Sequence, residues 1–278
     1  MNKGINAWCF PDGLHAEEII KKAKASGFKG IEFNVEEKED AILKLDSTEE
    51  EVMNIKETAG KYDIDIFSIS TDMLWKYPLT SENKAVRQKG MQVVEKMIRI
   101  ADQCEAKTVL VVPGIVTEEV SYDTAYERSL EAMRELSAFA EEKKIRIGIE
   151  NVWNKFLLSP LEMARFIEEI NSPYAGVYLD IGNVVYTGFP EQWIKILAEK
   201  IVAVHIKDFK TSVGNMDGFV PLLAGDIAWD KIAHALEAIN YNGFVSPEIP
   251  PHPFHTDLQL TMTSCIMDHF FPFDWREN

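Results

Sequence analysis

An α/β fold, a single (β/α)8 barrel with residues 1–278 as one domain, is what this sequence predicts, and three observations predict it. Short apolar runs alternate with amphipathic helical patterns along the whole chain, which implies parallel strands joined by right-handed crossovers. Eight such units in 278 residues is the arithmetic of a closed barrel. After the first strand stands "WCFPDGLH", not the glycine-rich phosphate loop usual in a doubly wound open sheet.

The first strand is "GINAW", Gly4 to Trp8, followed by the amphipathic "HAEEIIKKAKASG", where Gly27 suits a helix C-cap. "KGIEFN" leads through a charged loop to a helix whose capping box is Ser47 with Glu50. "DIFSIS" precedes a helical pattern from about Ser81 to Cys104, and "TVLVVPG" one from about Ser121 to Lys144. "IRIGIE" precedes "SPLEMARFIEEI", with Ser159 as N-cap, Pro160 at the first helical position and Glu162 closing the box. "GVYLD", "IVAVHIKD" and "FVSPE" complete the strands. Their helices run from about Pro190 to Leu197, Trp229 to Asn240 and Asp257 to Phe270.

Composition narrows the function classes. A hydrophobic fraction of 46% and a charged fraction of 27% describe an ordinary globular protein. The net charge of -16 argues against a nucleic-acid groove, which needs a basic stripe. Cys9, Cys104 and Cys265 show neither metal nor redox spacing and read as reduced thiols. "MNKGINAWCFPDG" lacks the apolar core of a signal peptide, and no run of 18 apolar residues suggests a membrane span. A cytoplasmic protein with no membrane partner is expected.

The chemistry sits at strand ends. "IRIGIE" closes in Glu150, "GVYLD" in Asp180 and "FVSPE" in Glu248, while "IVAVHIKD" carries His205. A carboxylate closing a buried strand costs stability unless something cationic meets it. Catalytic groups of a (β/α)8 barrel lie at the C-terminal strand ends, and strands five to eight are neighbours there. Intervals of 30, 25 and 43 residues are what successive strand–helix units produce. Taken singly, each carboxylate more often caps a helix or joins a loop salt bridge, and a lone histidine is more often a satisfied core residue. Together on successive strands, three carboxylates and an imidazole predict one divalent metal, Mn2+ first and Co2+ or Mg2+ next, rather than a thiolate-held structural zinc. Such oxygen-rich ligation suits a Lewis acid gripping a carbonyl and a neighbouring hydroxyl.

"GIENVWN", "VYLDIGNV", "VAVHIKDFK" and "SPEIPP" resemble the metal-binding segments of the sugar-phosphate isomerase/epimerase family, whose fold is a xylose isomerase-like TIM barrel. The likeness follows strand order over nearly the whole chain and is most specific from Tyr178 to Lys207. It implies metal ligation by Glu150, Asp180, His205 and Glu248. It also implies that Glu150 and Glu248 act as acid and base on opposite faces of a bound ketose or ketose phosphate, through a cis-enediolate. An inosose dehydratase-like lyase using the same enolate chemistry is the alternative. "DIGN" followed by "VHIKD" is closer to the ketopentose-phosphate 3-epimerases. Asn183 stands where free-ketose epimerases commonly have a histidine, and Lys207 and Lys210 where they bring an arginine.

Smaller expectations attach to other residues. Lys207 should point to the same side as His205, to meet a substrate oxygen or phosphate or to pair with Asp208 or Glu248. Trp8 and Glu32, ending the first two strands, are placed at the pocket mouth, Trp8 to stack on a sugar face or pack the loop, Glu32 to bind a hydroxyl or cap the following loop. Asn183 either orients substrate or favours the turn. Trp153 and His252 fall in loops at the active face without a role. "FFPFDW" reads as packing or a subunit contact of a homodimer or homotetramer, with Phe270 and Phe271 not catalytic. A three-metal nuclease would need more histidines than six and a basic face. A non-catalytic sugar-binding or scaffold protein would leave the four polar strand ends scattered.

Overall fold

The computed structural model describes residues 1–273. Eight parallel strands close into a barrel: β1 (Asn2–Asn6), β2 (Gly30–Asn34), β3 (Asp65–Ser70), β4 (Thr108–Val111), β5 (Arg146–Glu150), β6 (Ala175–Asp180), β7 (Ile201–Ile206) and β10 (Phe244–Pro247). β10 lies between β7 and β1, so the strands run around the barrel in chain order. The two short strands β8 (Asp208–Phe209) and β9 (Phe219–Val220) form a separate antiparallel pair that the sequence reading did not foresee. Helices α1 (Ala16–Ala25), α2 (Glu49–Lys61), α4 (Lys84–Cys104), α5 (Tyr122–Lys143), α6 (Pro160–Ile170), α8 (Pro190–Leu197), α9 (Trp229–Ala238) and α10 (Thr256–Phe270) follow the barrel strands. Two short helices, α3 (Met73–Lys76) and α7 (Ile181–Val185), are additions to the expected set. No described helix is long and apolar enough to cross a membrane.

Several boundaries move for local reasons. The first strand ends at Asn6, not Trp8, because the Asn6 side chain accepts the Trp8 N–H at 2.7 Å and starts a 3-10 turn over Ala7–Cys9. The capping box of α2 is Thr48 with Glu51. Ser47 instead accepts the Lys44 N–H, so the helix starts one residue late. α4 starts at Lys84, where Asn83 accepts the Ala85 N–H, and Ser81 is spent on the Asn83 N–H. At α6, Ser159 caps Glu162 as expected, but the Glu162 carboxylate reaches back to the Leu158 N–H. Gly27, at φ +85, follows the α1 cap in the left-handed region that glycine enters without strain.

Each helix buries one stripe against the barrel. α6 buries Met163, Phe166, Ile167 and Ile170, worth about 2 kcal/mol each as an upper estimate. Inside the barrel, Phe67 and Phe244 stack at 4.2 Å between ring centres and plug the N-terminal end. Gly4 and Gly30 make room for them, since a Cβ there would meet those rings at 2.6 and 2.5 Å. Higher up, Leu110, Tyr178 and Ala203 fill the interior. The floor is thus closed and the open end faces the strand C-termini. Phe271 is buried, edge-on to Trp229, as the packing reading expected, while Asp274 and Trp275 of "FFPFDW" lie outside the described residues.

Candidate metal centre and active site

Four adjacent strands, β5, β6, β7 and β10, bring one polar side chain each to the open end. Glu150 and Asp180 are the last residues of β5 and β6; Glu248 follows β10. Asp180 is the ladder partner of His205, and Ser246 partners His205 from the other side. One ligand atom from each of Glu150, Asp180, His205 and Glu248 lies within 4.8 Å of the other three. His205 Nδ1 stands 3.8 Å from Glu150 Oε1 and 3.9 Å from Glu248 Oε2. The strand ends are therefore gathered, as the spacing and barrel topology anticipated.

The donors fit a divalent cation on two counts. His205 Nε2 is held by Glu32 Oε1 at 2.8 Å, which leaves Nδ1 aimed at the carboxylates and without a hydrogen bond. Asp180 Oδ1 accepts the Asn183 N–H at 2.8 Å, leaving Oδ2 inward. That oxygen lies 2.9 Å from Lys207 Nζ, a charge contact without hydrogen-bond alignment. Buried polar atoms left unpaired are costly, and an ion shared among them removes the cost. Three oxygens and one imidazole nitrogen suit Mn2+, Co2+ or Mg2+.

Electrostatics follow from burial and crowding. Burial pushes the Glu150 carboxyl up to about 7, with Glu248 and Asp180 adding to the rise. Burial likewise raises Asp180, although Lys207 opposes it. Burial would also raise Glu248, but Lys207 and His205 hold it below the usual range. The His205 imidazole is desolvated, yet Glu32 and the cluster carboxylates hold it well above its ordinary value. Lys207 is raised despite burial, chiefly by Asp180 and Glu248.

Exposure divides the cluster. Asp180 and His205 are fully buried, whereas Glu150 and Glu248 line a cavity of about 790 Å³. Trp8, Phe33, Trp75, Trp153 and Phe219 contribute to its walls, and Asn183 and Lys207 also line it. Lys207 Nζ donates to Glu248 Oε2 at 2.6 Å and does not pair with Asp208. Asp208 accepts instead from Phe209, Leu223, Ile227 and the Trp229 indole, which fixes the loop between β9 and α9. Trp8 lines the cavity from the 3-10 turn, its indole N–H 3.3 Å from Glu36. The Asn183 amide donates to Asn151 O, so it shapes the turn as well as the cavity. Trp153 ties to the same turn through Asn183 O and packs on Phe209 and Phe219. His252 is exposed and accepts the N–H groups of Phe254 and His255 in the loop before α10.

Glu32 corrects the sequence reading. It does not face the mouth but sits in the barrel interior, fully buried, mid-way along β2. The β2–β3 ladder shifts register between Ile31 and Glu32, a bulge of the kind that re-aims a side chain. Its carboxylate accepts from Tyr178 Oη at 2.6 Å and from Asn6 Nδ2, besides holding His205. Burial would raise it, but His205 and these donors keep it below the usual carboxylate range. It contacts the imidazole and does not line the cavity.

Asn151 was missed. Its amide accepts the Asp180 N–H and donates to Asp180 O, both at 2.9 Å, pinning β6 to the end of β5. Two buried bonds of this kind are worth about 1 kcal/mol each. The signal was present as an amide next to a strand-end carboxylate. Tyr178 was missed too, although it stands two residues before Asp180 and therefore on the same face of β6.

Known proteins agree with this architecture. The xylose isomerase-like TIM barrel family matches residues 20–263. An L-ribulose-5-phosphate 3-epimerase of Salmonella paratyphi A is 23% identical over 241 residues, covering 86% of this chain and 84% of the relative. The structure of a D-tagatose 3-epimerase-like protein superposes with a TM-score of 0.83 at 20% identity, over 97% of each chain. That of a D-psicose 3-epimerase gives 0.79 at 18% identity, over 97% of this chain and 99% of the other. With eight strands closed in chain order and the match spanning most of its length, the chain belongs to the xylose isomerase-like TIM barrel family.

Proposed function

We propose that the chain is a sugar epimerase that inverts the carbon next to a ketose carbonyl, with Glu150 and Glu248 as its acid/base pair. One observation carries the reading. Of four clustered polar groups, the two glutamates reach the cavity, while Asp180 and His205 are shut beneath them. Two carboxylates open to substrate and two donors reserved below divide proton transfer from charge stabilisation.

Glu150, Asp180, His205 and Glu248 would hold one divalent ion, Mn2+ by preference, which supplies neutralising charge for an enediolate. Proton traffic falls to the two glutamates, each with a second oxygen available. In one direction Glu248 takes the proton next to the carbonyl, and Glu150 delivers one to the opposite face. In reverse the roles exchange. Lys207 and Asn183, which line the cavity, would meet substrate oxygens, and the aromatic side chains of its walls would cover apolar sugar faces and exclude water. The structural neighbours named as ketose 3-epimerases support the reading, and free cysteines support a reducing compartment.

The test is incubation of the Mn2+-loaded enzyme with ketopentoses, ketohexoses, their phosphates and inosose in D2O. Deuterium should enter next to the carbonyl of one sugar class as its epimer forms, with no water lost. A dehydrated product would replace the epimerase reading with the lyase.

Acidity should govern ion loading. Glu150 is raised from 4.5 to about 7, so the folded protein keeps a proton that the unfolded chain has lost. That proton's contribution to stability is complete below about pH 4.5 and is lost as pH rises through about 7. His205, also raised, acts in the same sense above its ordinary 6.5. An incoming cation must expel the protons of both Glu150 and His205 Nδ1, so Mn2+ affinity should fall by about a hundredfold per pH unit below about 7. Calorimetric titrations from about pH 5.5 to about pH 8 check this, and a flat profile would refute it.

A further inference from the structure

Resting on the epimerase reading, we propose that this site selects an uncharged keto sugar and rejects sugar phosphates by charge. The floor of the cavity carries Glu150 and Glu248, and Asp12, Glu36, Asp40 and Asp72 stand around its walls. Among the described lining residues the only cations are Lys38 and Lys207, and there is no arginine or histidine. Each ammonium group is outnumbered by the carboxylates beside it. Lys207 faces Glu248 at 2.6 Å and Asp180 at 2.9 Å; Lys38 faces Asp12 at 3.0 Å and Glu36 at 3.3 Å.

A phosphomonoester brings a charge of about -1.5 to -2 near neutral pH. In a bound ketose phosphate it sits only a few bonds from the reacting carbon, inside this same chamber. Even with a divalent ion present, the carboxylates of the chamber outnumber its positive charges. Phosphate sites ordinarily present a free Arg or Lys fork or open N–H groups at a helix start. At the floor here, the turn entering α7 is capped by Asp180 itself, through the Asn183 N–H. Room is not the obstacle, because a free ketopentose of some ten heavy atoms fills about 300 Å³ at most, against about 790 Å³. The remaining wall is largely apolar, and its aromatic members, among them Trp8, Trp75 and Trp153, suit the C–H faces of a neutral sugar.

The test uses the full chain loaded with Mn2+ and two matched pairs: L-ribulose with L-ribulose 5-phosphate, and D-fructose with D-fructose 6-phosphate. The free sugar of the productive pair should show kcat/KM at least about tenfold higher, a gap that narrows as salt screens the repulsion. The double variant Asp12→Asn, Glu36→Gln releases Lys38 and should narrow the gap by about three- to tenfold. Calorimetric affinities for the same four ligands separate this inference from the reading beneath it. If no sugar exchanges deuterium but the free sugars still bind more tightly, the epimerase reading fails and charge selection stands. A phosphate that is bound or turned over better than its free partner overturns the inference, as does failure of every free sugar to bind.

Discussion

Glutamine in place of Glu150, or of Glu248, is expected to lower kcat for epimerisation by about 10²- to 10⁴-fold while leaving the barrel folded. The change keeps side-chain shape and one coordinating oxygen but removes the base. Because the pair is assigned to opposite faces of the sugar, the two variants should fail differently. Glu150→Gln keeps Glu248 and should still wash deuterium into the epimer whose C–H faces Glu248, without converting it. Glu248→Gln should do the same for the other epimer. Chiral chromatography measures interconversion, and proton NMR in D2O measures exchange. Near-normal epimerisation by either variant would remove the acid/base assignment, whatever the cluster binds.

Mn2+ at about a hundred times its dissociation constant is expected to stabilise the protein by about 2.7 kcal/mol. For a chain of this size that is a rise in Tm of about 4–5 °C. Asp180→Asn and His205→Ala should abolish most of the rise, since Asp180 Oδ2 and His205 Nδ1 are the inward atoms without hydrogen bonds. Differential scanning fluorimetry with Mn2+, Co2+ and Mg2+ reads this without any substrate. A melting curve that none of the three ions moves would dismiss the metal centre. Glu32→Gln belongs to the same series with a smaller shift, because it reaches the cluster through His205 Nε2 and ligates no ion itself.

Much of this was legible in the sequence because it depends on period and order. Alternating strands such as "IRIGIE" point every second residue inward, so the final carboxylate has to arrive at the open end of the barrel. The neighbourhood of β5, β6, β7 and β10 follows from chain order once the sheet is closed. What escaped depends on geometry that pattern does not encode. Glu32 occupies a strand, as expected, but a register shift and the reach of Tyr178 and His205 decide that it lies below the ion site rather than at the mouth. Trp8 left its strand because one asparagine side chain captured one backbone N–H. Lys207 was left between substrate and salt bridge, and only the fold could show both Asp180 and Glu248 converging on its ammonium. The β8–β9 pair was invisible since two-residue strands carry no periodicity.

That ammonium bears on the order of assembly. Lys207 brings a tethered positive charge to acidic groups that would otherwise repel one another as the last strands dock. Chains whose core is organised by an ion stay unfolded until it arrives. Here the polypeptide carries its own positive charge among those carboxylates, so the cylinder is expected to close without waiting for an ion.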